Sequence, residues 1–184
     1  MVKSTRPGTG KLERVTADPT RNDRALALLR IAVGALFLVF GEYKVADSKF
    51  VDSGFRFWIE RFLQGGGAYP FLAPLLRGPI LAHEHAWAWI VALGELGIGV
   101  ALVGGIGVRV ASGFGLAFML ALLFSSNYPG PDAPLWQYFG AALDHLTLAL
   151  CFGAFLIGRA DAAYRIKLPW RARSASRSDP AVRG

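Results

Sequence analysis

The run from Ala86 to Gly105, AWAWIVALGELGIGVALVGG, holds one ionisable side chain, Glu95, among apolar and glycine residues. A helix rises about 1.5 Å per residue, so a run of this length matches the thickness of a bilayer core. Glu95 then falls about 13 Å from the Ala86 end, close to the midplane. A carboxyl group at that depth is costly, so it is expected to face a bundle interior and to take a partner.

The remainder of the 184 residues has the same character. Hydrophobic residues make up 53% and charged residues 18%, and the charges crowd into residues 1–24, 44–85 and the tail after Gly158. A soluble domain would intersperse them along amphipathic elements. The pattern predicts an all-α fold, a polytopic membrane four-helix bundle with spans at about 25–43, 86–105, 108–126 and 139–158. Residues 1–24 are expected to form a disordered basic arm and 166–184 a disordered basic tail around a single membrane domain, 25–165. The first span, with no cleavable leader before it, reads as the insertion signal.

The connection between the first two spans carries a pattern of its own. Val51, Phe55, Trp58, Ile59, Phe62 and Leu63 make one apolar helical stripe, opposed by Asp52, Arg56 and Glu60. This predicts an additional amphipathic helix, about 50–64, lying in the membrane interface in the first outer loop. Gly65-Gly66-Gly67 ends it, and Pro70, Pro74 and Pro79 break the rest of the connection. Small residues predict close helix packing at Gly34 and Gly41, at Gly97, Ala101 and Gly105, and at Ala141, His145, Ala149 and Gly153.

Basic residues are dense at both termini and at Arg109, and absent from the 127–138 loop. By the positive-inside rule both termini face the cytoplasm. Trp58, Trp87, Trp89, Tyr128, Trp136 and Tyr138 then form a belt at the outer interface. The formal charge of +7 flanks spans and lines no exposed face, so no nucleic-acid partner is read from it. The single Cys151 forms no intrachain disulfide and no C-x-x-C motif, and reads as inert packing.

In this topology five polar residues converge in the outer half of the bundle. Glu42 and Lys44 close the first span, Glu95 lies mid-second, and Asp144 and His145 lie one to two turns into the fourth. Carboxylates beside an imidazole and an ammonium can take or relay protons, a service that a quinone head group needs during reduction. Glu95, Asp144 and His145 are the candidate catalytic residues. The structural alternatives stand beside this: Glu95 as a polar tie between helices, Asp144 and His145 as a hydrated helix end, Lys44 snorkelling. Arg30 and Arg109 suit topology and inner-leaflet headgroups, with Arg30 deep enough to need a partner. His83-Glu84-His85 is too slight a pattern for a metal site, and no pair of axial histidines suits a haem.

Four passages together resemble the DoxX family of small four-span membrane proteins: Arg30-Ile-Ala-Val-Gly34 leading to Gly41-Glu-Tyr-Lys44, then Gly94-Glu95-Leu96, Gly107-Val-Arg109 and Gly158-Arg159. The long first loop is similar to the DoxD branch, described as the small membrane subunit of thiosulfate:quinone oxidoreductase. The resemblance implies a bacterial or archaeal plasma-membrane protein that binds quinone and lipid and draws electrons from a protein partner, with homo-oligomers compatible. It carries Glu42, Lys44 and Arg109 over as cofactor-binding residues beside Glu95. The chain departs from the DoxD-type ending after Gly158-Arg-Ala-Asp161 and carries no fused second subunit. The competing expectation is a non-enzymatic membrane scaffold or small-molecule carrier that docks partner proteins.

Overall fold

A computed structural model describes residues 18–140 and 143–166. Most of the expected basic arm and nearly all of the expected tail lie outside the described residues. Among those described, every regular element is helical. Helix α1, Arg21–Ala46, starts ahead of the expected residue 25 because Thr20 and Asp23 form a capping box. Thr20 Oγ1 accepts from the Asp23 amide at 3.1 Å, and Asp23 Oδ2 accepts from the Thr20 amide at 2.9 Å.

A π-type turn, Phe50–Gly54, runs into α2, Phe55–Gln64. The short α3, Ala73–Leu75, passes through a second such turn to α4, Glu84–Gly104. Gly105 ends α4 in the left-handed conformation (φ +68°), and its amide and that of Ile106 bond back to Leu102 and Ala101. Helix α5, Val108–Ser126, follows, and α6, Asp144–Ile157, closes the helical part. Helices α1, α4 and α5 are long and apolar enough to cross a membrane. Large apolar side chains stay exposed on them, Val39 at 64% and Phe114 at 68%.

The fourth segment departs from expectation. Its helix begins at Asp144, well after 139, and at 14 residues it is only about 21 Å long. The cause is local backbone: Gly140 has φ +83° and Leu143 φ +54°, neither compatible with a continuous helix. Gly140 sits against Leu123 and Asn127 of the preceding helix end, where an added Cβ would lie 3.0 Å from each.

Two close seams organise the helices. In the first, α1 runs antiparallel to α4, and a Cβ added at Gly34, Gly41 or Gly99 would fall within about 3 Å of the facing backbone of Val103, Leu96 or Leu38. The expected Gly34–Gly41 face is therefore in use. In the second, α5 packs on α6, with Phe152 lying directly over Gly115. Phe152 also meets Phe37 of α1 edge-to-face at 5.2 Å, joining the seams in a core that includes Val33, Ile98, Leu102 and Phe155. The other two small-residue faces are only partly packed: Ala149 is buried in the core and Gly105 lies against Arg30 and Arg165, but Gly97 and Gly153 are open. An added Cβ at Gly97 or Gly153 would meet nothing within 4 Å.

Helix α2 lays Val51 (from the preceding turn), Phe55 and Ile59 on Leu76 and Ala88, covering the first turns of α4. Trp58, expected in the same stripe, sits at its margin and is half exposed, with the Arg61 guanidinium 5.9 Å from its ring. The loop after α2 is tied to the end of α5: Tyr69 N–H donates to Phe124 O at 2.9 Å and Tyr128 N–H to Gly67 O at 2.7 Å. Tyr128 and Tyr138, expected in the aromatic belt at the outer interface, cluster half-buried around Tyr69, whose hydroxyl donates to Tyr138 O at 2.8 Å. Burial, with Tyr138 and Tyr128 beside it, raises the Tyr69 hydroxyl above the usual phenol range.

The opposite end is closed by residues 158–166. Arg159 pairs with Asp23 at 3.5 Å, Ala160 and Ala163 are buried, and Ile166 N–H donates to Gly104 O at 2.9 Å. Arg30 is fully buried beneath this segment, and its Nη2 donates to Tyr164 O at 2.7 Å. Its expected role at lipid headgroups gives way to an internal tie, because the returning chain covers it.

Candidate functional site

Glu95 and Lys44 meet where α1 ends. The antiparallel register that sets Gly41 on Leu96 brings the last turn of α1 to the middle of α4. Lys44 Nζ donates to both Glu95 carboxylate oxygens, at 2.5 and 2.6 Å. The Phe50 ring stands 5.1 Å from the same ammonium. Only 7% of the Glu95 side chain is exposed, against 19% for Lys44. Two charges removed from water are tolerated when paired this closely, and loss of either would strand the other.

Glu95 also borders a cleft. Helices α4 and α5 share a tight turn but separate along their length, leaving a cavity of about 760 Å³ between them. Trp87, Gly94, Gly97 and Ala101 line it from α4, and Phe114 and Phe118 from α5. The glycines make the space, since a Cβ at either Gly94 or Gly97 would meet nothing within 4 Å. Among the described residues, Glu95 is the one ionisable side chain in a wall that is otherwise almost wholly apolar. A volume of this size suits a small organic ligand, and a single polar group in an apolar wall fixes such a ligand's orientation.

The other candidate residues are placed elsewhere. Lys44 does not border the cleft; it reaches Glu95 from the α1 side. Glu42, one residue beyond the Gly41 contact, is exposed. Arg109 is exposed at the start of α5, between the cleft residues Gly107 and Val110, and does not itself line the cleft. Asp144 stands in the first turn of α6, not one to two turns deep, and its side chain is 55% exposed. Its Oδ1 accepts from the His145 amide at 2.7 Å and lies 3.1 Å from His145 Nδ1. Among the described residues no hydrogen bond or ion pair joins Asp144 or His145 to Glu95. The late start of α6 and its packing on α5 account for this.

Gly94, Gly97, Phe114 and Phe118 were not singled out as site residues by their sequence. The one signal present was the small stripe Gly94, Gly97, Ala101 around Glu95, which marks a helix contact and an open groove equally well. A second charged group surrounds the start of α4: Arg56 lies 3.0 Å from Glu60 and 2.5 Å from Glu84. These pairs raise the Arg56 guanidinium above its ordinary range, the Glu60 hydrogen bond contributing most. Among the described residues no group of three or more His, Cys, Asp or Glu side chains is placed to hold a metal ion. No family model matches the chain, and no curated protein or solved structure matches it.

Proposed function

We propose that this is a four-span membrane protein, similar to the DoxX family, whose α4–α5 cleft binds a quinone. In this reading the Glu95 carboxyl, when it carries a proton, donates to the ligand's carbonyl oxygen and passes that proton on. The observation that carries it is the position of Glu95, a buried, lysine-paired carboxylate in the wall of an apolar cavity of about 760 Å³. Ile90, Val110 and Phe114 on the rim are themselves exposed, so a ligand would enter sideways from the bilayer. A hydrophobic tail would lie along α5 while the head group meets the one polar wall atom set.

In the proposed topology α6 and the residues before it complete the fourth span. Both termini lie on the cytoplasmic side of a bacterial or archaeal plasma membrane, and α2 lies at the outer interface. Reduction of a quinone to a quinol takes two electrons and two protons. The chain offers groups for the protons, so the electrons would come from a protein partner. Thiosulfate as their source is an extension of the family resemblance alone.

Trp87 lines the cleft, which supplies a probe. Added decylubiquinone should quench tryptophan fluorescence saturably in detergent, with the saturable part lost in Trp87→Phe and in Gly97→Phe, which fills the cavity. Quenching that stays linear in the wild type, or is unchanged in Gly97→Phe, would overturn the reading. The Lys44–Glu95 link favours one alternative, a scaffold in which Glu95 only ties α1 to α4. That alternative predicts a cleft with no saturable ligand.

A further inference from the structure

The Lys44–Glu95 pair is asymmetric. Glu95 borders the cleft and Lys44 does not, yet Lys44 is the more exposed of the two, at 19% against 7%. Lys44 lies two residues from the end of α1. Beyond it the chain presents Asp47, Lys49 and Asp52, with Lys49 Nζ 3.4 Å from Asp47. The pair therefore runs from an apolar cavity, through a carboxylate, to an ammonium at a polar edge.

Toward the other end the cleft reaches the exposed Ile106–Gly107 turn, but among the described residues no ionisable side chain other than Glu95 lines it. No ionisable side chain occurs on α4 after Glu95 or on α5 after Arg109. Below the pair the α1–α4 seam is closed at Gly41, Gly99 and Gly34, where the backbones leave no room for a Cβ. At the far end residues 158–166 cover Arg30 and the last turn of α4. Near the start of α4, Arg56 of α2 holds Glu60 and Glu84, and His85 Nδ1 lies 3.8 Å from Glu84.

We infer that Lys44 is the port through which Glu95, and a ligand head group resting on it, exchange protons with water at the Glu84 end of the protein. The inference rests on the ligand reading above and adds a direction to it. In the transfer, an N–H bond of the Lys44 ammonium breaks as an O–H bond forms on Glu95. That proton passes to the ligand oxygen, and the neutral Lys44 amine takes a proton from water, whose O–H bond breaks and leaves hydroxide in the aqueous phase. Charge balances at each step and no electron moves; electrons arrive with the ligand's reduction by the partner. Lys44 is thus a positioning residue that keeps Glu95 ionised until the ligand draws on it.

The test uses Lys44→Cys in a Cys151→Ala background, in right-side-out and inside-out vesicles. The membrane-impermeant trimethylammonium-ethyl methanethiosulfonate should label the introduced thiol at least tenfold faster from the outer side. In infrared difference spectra against Glu95→Gln, the ionised carboxylate band of the Lys44 protein should be lost in Lys44→Cys. It should return after aminoethylation rebuilds a lysine-like ammonium. Faster labelling from the cytoplasmic side, or a carboxylate band indifferent to residue 44, would overturn the inference. Should the cysteine variant fail to accumulate, Lys44→Arg takes its place, with an intact band expected and a neutral acid band refuting. Decylubiquinone quenching is read separately: one-sided labelling without quenching would sink the ligand reading, and with it proton delivery to a ligand, leaving only the outward access of Lys44 to Glu95.

Discussion

Gly97 and Gly99 lie two residues apart on α4, and the fold predicts opposite responses to the same substitution. Replacing glycine by alanine in a helix gains about 1 kcal/mol of intrinsic preference at either site. At Gly97 an added Cβ would meet nothing within 4 Å, so Gly97→Ala should keep that gain. At Gly99 it would lie 2.8 Å from the Leu38 backbone nitrogen and equally close to the Leu38 side chain. The side chain can turn aside, but the backbone of α1 cannot. Overpacking of this kind costs about 1–3 kcal/mol. Gly99→Ala should therefore be less stable than Gly97→Ala by about 1–3 kcal/mol. Unfolding in mixed micelles titrated with a denaturing detergent, followed by circular dichroism, measures the difference. Gly41→Ala, facing the Leu96 nitrogen at 2.8 Å, should behave like Gly99→Ala. Equal stabilities for the 97 and 99 variants would refute the claimed seam and the claimed opening together.

Lys44→Met should destabilise by about 3–5 kcal/mol, because Glu95 is left buried without its partner. Lys44→Met with Glu95→Met should recover most of that loss, and the same unfolding assay in a double-mutant cycle reads the coupling. Tyr69→Phe removes the bond to Tyr138 O and should cost about 1 kcal/mol by thermal unfolding near neutral pH. The raised Tyr69 hydroxyl has a sign as well. The folded state keeps the proton longer than the unfolded chain, so its stabilising contribution is intact below about pH 10 and falls as pH rises beyond it. Alkaline unfolding curves of wild type and Tyr69→Phe should therefore draw together with rising pH.

Much of the helical layout was legible because charge exclusion is a strong signal. The runs at 86–105 and 108–126 lie within a residue or two of α4 and α5, and Gly105 supplied the stop between them. The Gly34–Gly41 face was legible for the same reason that it packs: only small residues allow backbones so close. The start of α6 was not. Phe139 to Leu143 is apolar, and what interrupts it is the positive-φ backbone at Gly140 and Leu143, with Gly140 set against the end of α5. Local preference carries no trace of such a contact.

The site was half legible. A mid-span carboxylate announces that it needs a partner, and Lys44 was among the few groups near enough in depth. That Asp144 and His145 stand apart from the pair depends on α6 docking to α5, which nothing in the spacing of polar residues specifies. Arg30 illustrates the same gap, since its partner is a main-chain carbonyl at Tyr164, far along the chain and invisible to any residue-type pattern.

The measurement that bears most directly on the central claim is the quinone content of protein purified from its membrane in mild detergent, by solvent extraction and mass spectrometry. Wild type and Gly97→Ala would be compared with the cavity-filling Gly97→Phe and with Glu95→Gln. A cleft that binds quinone beside Glu95 predicts near-stoichiometric quinone in wild type, loss in Gly97→Phe with folding intact, and a marked drop in Glu95→Gln. Quinone at the level of an unrelated membrane protein, or equal amounts in wild type and Gly97→Phe, would contradict it.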